Sequence, residues 1–369
     1  WWKGSPARTR KGGEEMEETN KSSVSQLFIL LFLSRAFSLV AYSPAGKGGG
    51  GDLTLITTAL SGVVQLLALA AGLYLCRRGT GVSPLITPGS GFFRLQSGLY
   101  WLCCLVVCVY TAVNFIAFMT AVVYDHRHGW LVAVTFVAAG ALAACQGLEG
   151  LARGGGILAV LLGLGCAIIA LGLWQQYDWL NFTLRLLPPG DTIQGACHGL
   201  AMNGELFALL LLLPYLRQAP KALPCAGWVG SLTLAAGAVQ LMTMLALGSY
   251  GAMKPFPVFT AVTSAGFRSF QRLDPVFLVI WVTLGLVKLS VFLSLASGLS
   301  AGLFFRPWGG RWVWGNGLVV VVLALVLWTG PEGWMDQLHR WLAAGTVTFV
   351  GVLLLPLAGK LLDRRRKEG

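Results

Sequence analysis

Three charged residues stand where an otherwise apolar chain has least reason to hold them: Glu205, Arg35 and Lys288. Glu205 sits midway along a membrane-length segment, directly after the glycine-punctuated stretch Gly195-Ala-Cys-His-Gly199-Leu-Ala-Met202-Asn203-Gly204. An ionisable group at that depth costs roughly 2.5–3.5 kcal/mol on insertion scales and is usually kept for a ligand, an ion or a partner group. Arg35 lies about 16 Å into its segment at ~1.5 Å per residue, and Lys288 is near the centre of another. Pairing Glu205 with either cation lowers the cost for both and leaves one positive charge over. Beside a half-helix N-terminus, that suits an anionic group such as a carboxylate. A buried pair that simply locks two helices together is the competing reading. Ser34, Ser38, Asn114, Met202 and Asn203 could line the same cavity, with backbone groups freed near Gly199 and Gly204 as ligand contacts. Each polar side chain among them also reads as an ordinary interhelical hydrogen bond.

The elements that must position these residues follow from composition. Hydrophobic residues make up 56% of the 369 and charged residues 11%, against about 25% charged in soluble proteins. The expected class is an all-α polytopic membrane protein. Ten candidate spans lie near 24–43, 53–75, 98–123, 129–147, 154–174, 196–216, 226–249, 275–304, 312–329 and 340–359. Loop Lys and Arg are twice as frequent on one side of this topology as on the other, which puts both termini in the cytoplasm. Ten spans divide into five and five. An odd number per half forces opposite orientations, the inverted-repeat arrangement, whose broken helices would be the first and sixth. The first carries Ser34-Arg35 midway and the sixth carries its glycines.

The domain reading is a polar N-terminal extension over 1–15 foreign to the fold, a transmembrane domain over 16–360 with Met16 as the expected start, and a basic cytoplasmic tail over 361–369. The net charge of +12 is spread over loops, so it reads as topology and contact with anionic lipid of the bilayer, not as nucleic-acid binding. The cysteines fall within or at the ends of spans and read as apolar packing, with Cys103, Cys104 and Cys108 lacking the company a metal site needs. His126, His128, His198 and His339 are dispersed, and no nucleotide-loop, zinc-protease or serine-hydrolase motif occurs. No enzymatic activity, metal or cofactor is expected. Glu149 and Arg153 form an i,i+4 pair in a short inner loop. Outside, Val258–Gln271 is amphipathic enough for a short helix acting as a lid or lying in the interface.

Several of these stretches together resemble the B subunit of bacterial spore germinant receptors, a branch of the amino acid–polyamine–organocation transporter superfamily. They are Val24-Ser-Gln26-Leu-Phe, Gly147-Leu-Glu149 with Arg153, and Gly204-Glu205 with the leucine run to Pro214. They continue with Phe256-Pro257-Val, Phe267-Arg268 and Gln271-Arg272-Leu-Asp274-Pro-Val-Phe, then Trp281 and Lys288-Leu-Ser290. The Arg272, Trp281 and Lys288 constellation is the most specific, and the likeness runs from about Val24 to Lys360. It implies a leucine-transporter-like five-plus-five fold, residence in the spore inner membrane, A and C subunits as partners, and a small germinant such as an amino acid as ligand. Related proteins usually show glycines in the break of the first helix, where this chain has Ser34-Arg35-Ala-Phe-Ser38.

The expected function is therefore a ligand-sensing membrane subunit. A small germinant would bind between the first, third, sixth and eighth spans, with Glu205 as the polar anchor and Arg35 or Lys288 as counter-charge. The alternatives are a secondary transporter coupled to protons or sodium, and a conduit for ions or water.

Overall fold

The computed structural model describes residues 23–40, 55–78, 91–123, 128–182, 188–201, 203–213, 216, 220–266, 273–304, 310–330 and 346–358. The expected N-terminal extension and basic tail, and Met202, Arg272, His126 and His339, lie outside them. All the regular elements among the described residues are helices. In chain order they are α1 (Val24–Val40), α2 (Leu55–Arg78), α3 (Gly91–Val122), α4 (Gly129–Cys145), α5 (Gly147–Leu173), α6 (Pro189–Ala201) and α7 (Glu205–Leu212). Then come α8 (Ala222–Leu247), α9 (Pro257–Ser264), α10 (Asp274–Phe304), α11 (Gly310–Thr329) and α12, which starts at Thr346–Phe349. α12 passes through a π-helical turn at Val350–Leu354 and regains α geometry to residue 358.

Six of these, α2, α3, α5, α8, α10 and α11, are long and apolar enough to cross a membrane, or seven if the bent pair α6–α7 counts as one. Shorter apolar helices occupy 24–40, 129–145 and 347–358. The outward faces are apolar where a bilayer would cover them. On α5, Ile157 and Leu171 are 69% and 64% exposed, and on α11 Leu318 is 67% exposed, while α5 turns Gly155, Leu162, Gly165 and Ile169 inward. In hydrocarbon such exposure is satisfied by lipid, because only backbone polarity must be closed internally.

α10 and α3 form the centre, packed on each other and on α4 and α11. α2, α6 and α8 form a second group. α1 touches both, lying against α10, α5, α8 and α7. Between α4 and α5 the chain turns on Gly147, whose φ of +79° is a left-handed conformation that glycine adopts without a Cβ penalty.

Two expectations about irregular helices are corrected. α1 is one helix through Ser34, Arg35 and Ser38, because these side chains find partners on neighbouring helices and none has to be met by unwound backbone. The sixth span does break, bent by 41° between α6 and α7. Gly195 and Gly199 stay helical within α6, however, and the interruption falls after them, before Glu205. The second irregular stretch among the described residues is the π turn of α12. The carbonyl of Gly351 within it and that of Leu355 just after it are met by Tyr100 Oη at 2.9 Å and Gln96 Nε2 at 3.1 Å.

Candidate functional site

The break owes its place to Asn203 and Gly204, both poor helix formers. The Asn203 amide N–H tightens onto the Leu200 carbonyl at 3.1 Å and its own carbonyl accepts from Leu206 N–H at 3.2 Å, two three-residue turns back to back. Glu205 is then the acidic residue in the first turn of α7, the favourable end of that helix dipole. The half-helix N-terminus expected to face an anionic ligand is thus already furnished with a carboxylate.

Glu205 is fully buried. Lys288 Nζ of α10 donates to its Oε1 at 2.6 Å, and Ser34 Oγ of α1 donates to the same oxygen at 2.8 Å. Lys288 also donates to Ser38 Oγ at 2.9 Å and lies 5.5 Å from the Phe292 ring centre. Lys288 is therefore the ion-pair partner of Glu205. Arg35, buried on the same turn of α1, reaches the Gly199 carbonyl with Nη2 at 3.5 Å. Buried charges are tolerable when paired and hydrogen-bonded, and three helices here each supply part of that pairing.

Both bonds to Glu205 converge on Oε1. Its Oε2 is buried and has no hydrogen-bond partner among the described residues, and the same holds for Asn203 Oδ1 across Gly204. A neutral acceptor such as Asn203 Oδ1 costs about 1–3 kcal/mol if left dry, and a carboxylate oxygen more. The orientation of Asn203 is fixed by its neighbours. Gln65 Nε2 must face the Gly199 carbonyl, an obligate acceptor, at 3.3 Å, so Gln65 Oε1 takes Asn203 Nδ2 at 2.7 Å and Oδ1 is the atom left over.

Of the expected site residues, hydrogen bonds join Ser34, Ser38, Glu205 and Lys288 in one group and Arg35, Gly199 and Asn203, through Gln65, in a second beside it. Gly204 packs between Phe207, Val107 and Phe292, where a Cβ would come within 3.3–3.5 Å. Asn114 is buried but donates back to the Tyr110 carbonyl of its own helix at 2.9 Å. No hydrogen bond joins it to either group among the described residues, because a helical Asn can satisfy its amide one turn back. Ser61 and Gln65 of α2 were missed. The signal was present as polar residues Thr57, Ser61 and Gln65 at four-residue spacing in an apolar segment.

Two turns before Lys288 on α10, Trp281 stacks on Phe115 at 5.0 Å and meets Phe118 at 4.2 Å and Phe37 at 5.1 Å. Phe118 in turn is edge-on to Phe256 and Phe259, at 5.0 and 5.3 Å. α9, the short helix expected in the long connection, is thereby fixed over this aromatic column. Glu149 and Arg153 pair on the surface of α5. Cys103, Cys104, Cys108 and Cys225 are buried, and no cluster able to hold a metal occurs among the described residues.

The helices and the buried ion pair define a multi-pass membrane protein organised around a polar centre. The family model for spore germination proteins, the spore permeases, matches residues 92–306, more than half of the chain, and the chain belongs to that family. It is a membrane family of transporter or receptor type and not an enzyme family. The match takes in Gly199, Asn203, Glu205 and Lys288, while Ser34, Arg35 and Ser38 on α1 and Gln65 on α2 precede it. No curated protein matches the chain.

Proposed function

We propose that this chain is the membrane-embedded, ligand-sensing subunit of a germinant receptor in the spore inner membrane. It works with A- and C-type subunits and has ten spans in five-plus-five arrangement with both termini inside. The three shorter apolar helices, at 24–40, 129–145 and 347–358, fall where the first, fourth and tenth spans are needed. The observation that carries the ligand reading is the pair of buried acceptors without a partner among the described residues, Glu205 Oε2 and Asn203 Oδ1, flanking the break. Two bare acceptors ask for a donor, and an ammonium group supplies several. Lys288 Nζ and Ser34 Oγ take Oε1 alone, which leaves Oε2 and Asn203 Oδ1 to such a group. An amino acid brings one. Its binding would favour one packing of α1, α6 and α7 against α10 and pass that bias to the partner subunits.

Glu205→Gln tests this reading. Spores carrying it should insert the protein normally and lose or strongly weaken the response to amino acids. A normal response would remove Glu205 from the site, and loss of the protein from the membrane would make the pair a structural lock. Secondary transport is the second reading, favoured by Lys288 Nζ, which stands against Glu205 where a coupling cation would sit. Uptake by proteoliposomes separates the two, since saturable, ion-coupled accumulation belongs to transport alone.

A further inference from the structure

α2 and α6 meet through a ladder with the same four-residue step on both helices. A Cβ on Gly195 would lie 3.2 Å from Thr57, and one on Gly199 would lie 2.0 Å from Ser61 Oγ and 2.7 Å from Ser61 Cβ. Gln65 bonds Asn203 at 2.7 Å. The partners 57, 61 and 65 thus match 195, 199 and 203 in order, so the two helices run in the same direction with their backbones close. Small residues form the first two rungs because nothing larger fits between them. The third rung falls where α6 has ended.

Gln65 is 7% exposed, and Asn203 is fully buried. The Gln65 carboxamide uses both ends across the break. Its Nε2 donates to Ser61 Oγ at 2.8 Å and to the Gly199 carbonyl at 3.3 Å, and its Oε1 accepts from Asn203 Nδ2 at 2.7 Å. The Gly199 carbonyl is four residues before Asn203, whose N–H bonds Leu200 instead. It is the acceptor that a continuous helix would have given to Asn203, and Gln65 and Arg35 stand in for that lost bond. One side chain on α2 therefore satisfies the carbonyl that the break releases and holds the residue that makes the break.

We propose that Gln65 is a positioning residue for the candidate site: it pins the break between α6 and α7 in one geometry and turns Asn203 so that Oδ1 stays an open acceptor beside Glu205. The significance of Oδ1 rests on the ligand reading above, whereas the effect of Gln65 on the break does not.

The test is hydrogen exchange on the purified full chain in lipid nanodiscs with no ligand present, so that its outcome is independent of whether a germinant binds. Gln65→Met keeps length and volume and removes all three hydrogen bonds. It should raise exchange of the Asn203 and Leu206 amides at least tenfold while leaving α8 and α10 unchanged. In an Asn203→Ala background the same substitution should add less than it costs alone, because one of its three hydrogen bonds is already gone. Gln65→Asn, which keeps the amide but falls short of the rung, should behave as Gln65→Met does and serves if the methionine variant does not fold. Unchanged exchange at 203–206 in the variant examined overturns the proposal, as do effects of Gln65 and Asn203 that simply add.

Discussion

Lys288 Nζ lies 2.6 Å from Glu205 Oε1, which ties the middle of α10 to the first residue of α7. Both side chains are almost wholly buried, at 3% and 0% exposure. The bond joins the central helix to the half-helix that begins at the break, so any movement of α7 has to stretch or carry this pair.

Removing Lys288 alone should therefore cost more than removing both charges. Lys288→Met leaves a buried carboxylate without its cation, a loss of about 3–5 kcal/mol. It should lower the thermal stability of the purified protein sharply. The double variant Glu205→Gln with Lys288→Met should recover most of that loss, since neither member of the pair then remains without the other. Equal instability in the single and double variants would show that the pair contributes packing alone.

Gly199→Ala should be destabilising through overpacking, at about 1–3 kcal/mol, because its Cβ meets Ser61 Oγ and Cβ. Ser61→Gly removes both obstructing atoms and should restore membrane yield and melting temperature. No rescue would mean that α2 and α6 approach each other elsewhere than at this rung.

The π turn of α12 packs directly against α7, where a Cβ on Gly351 would come 2.8 Å from Phe207. Tyr100→Phe strips the Gly351 carbonyl of its donor, which should cost about 1–3 kcal/mol. Hydrogen exchange should rise across 350–355. Exchange confined to other segments would rule out Tyr100 as the support of this turn.

α9 is held over Trp281 by the edge-on contacts of Phe118 with Phe256 and Phe259. Phe118→Ala should loosen α9, read as faster exchange across Pro257–Ser264, with the Glu205–Lys288 pair and the amides of α7 unaffected. If α9 keeps its protection, its docking rests on other contacts.

Much of the fold was legible before any coordinates. Composition and the lengths of the apolar runs determine a multi-pass helical protein, because a bilayer leaves the backbone few alternatives. The charged outliers Glu205, Lys288 and Arg35 declare a polar centre, since each is too costly at that depth without a partner. The family likeness was carried by short motifs and holds over 92–306. Which cation serves Glu205 was undecidable from sequence. Spacing along a helix fixes depth, but the rotation of each helix about its axis is set by packing, and packing put Lys288 on Glu205 and turned Arg35 to Gly199. The same holds for the break. The glycines pointed to irregular backbone, but those at 195 and 199 let α6 approach α2, and among the described residues the interruption falls at Asn203-Gly204. In α1 the polar residues suggested unwinding, yet cross-helix partners satisfy them and the helix runs on. Gln65 drew no notice in its apolar span, and only the ladder places it against Asn203. Sequence thus determined what must be buried and roughly how deep. Tertiary structure decided who meets whom, because hydrogen bonds between helices depend on angles and registers that no single segment encodes.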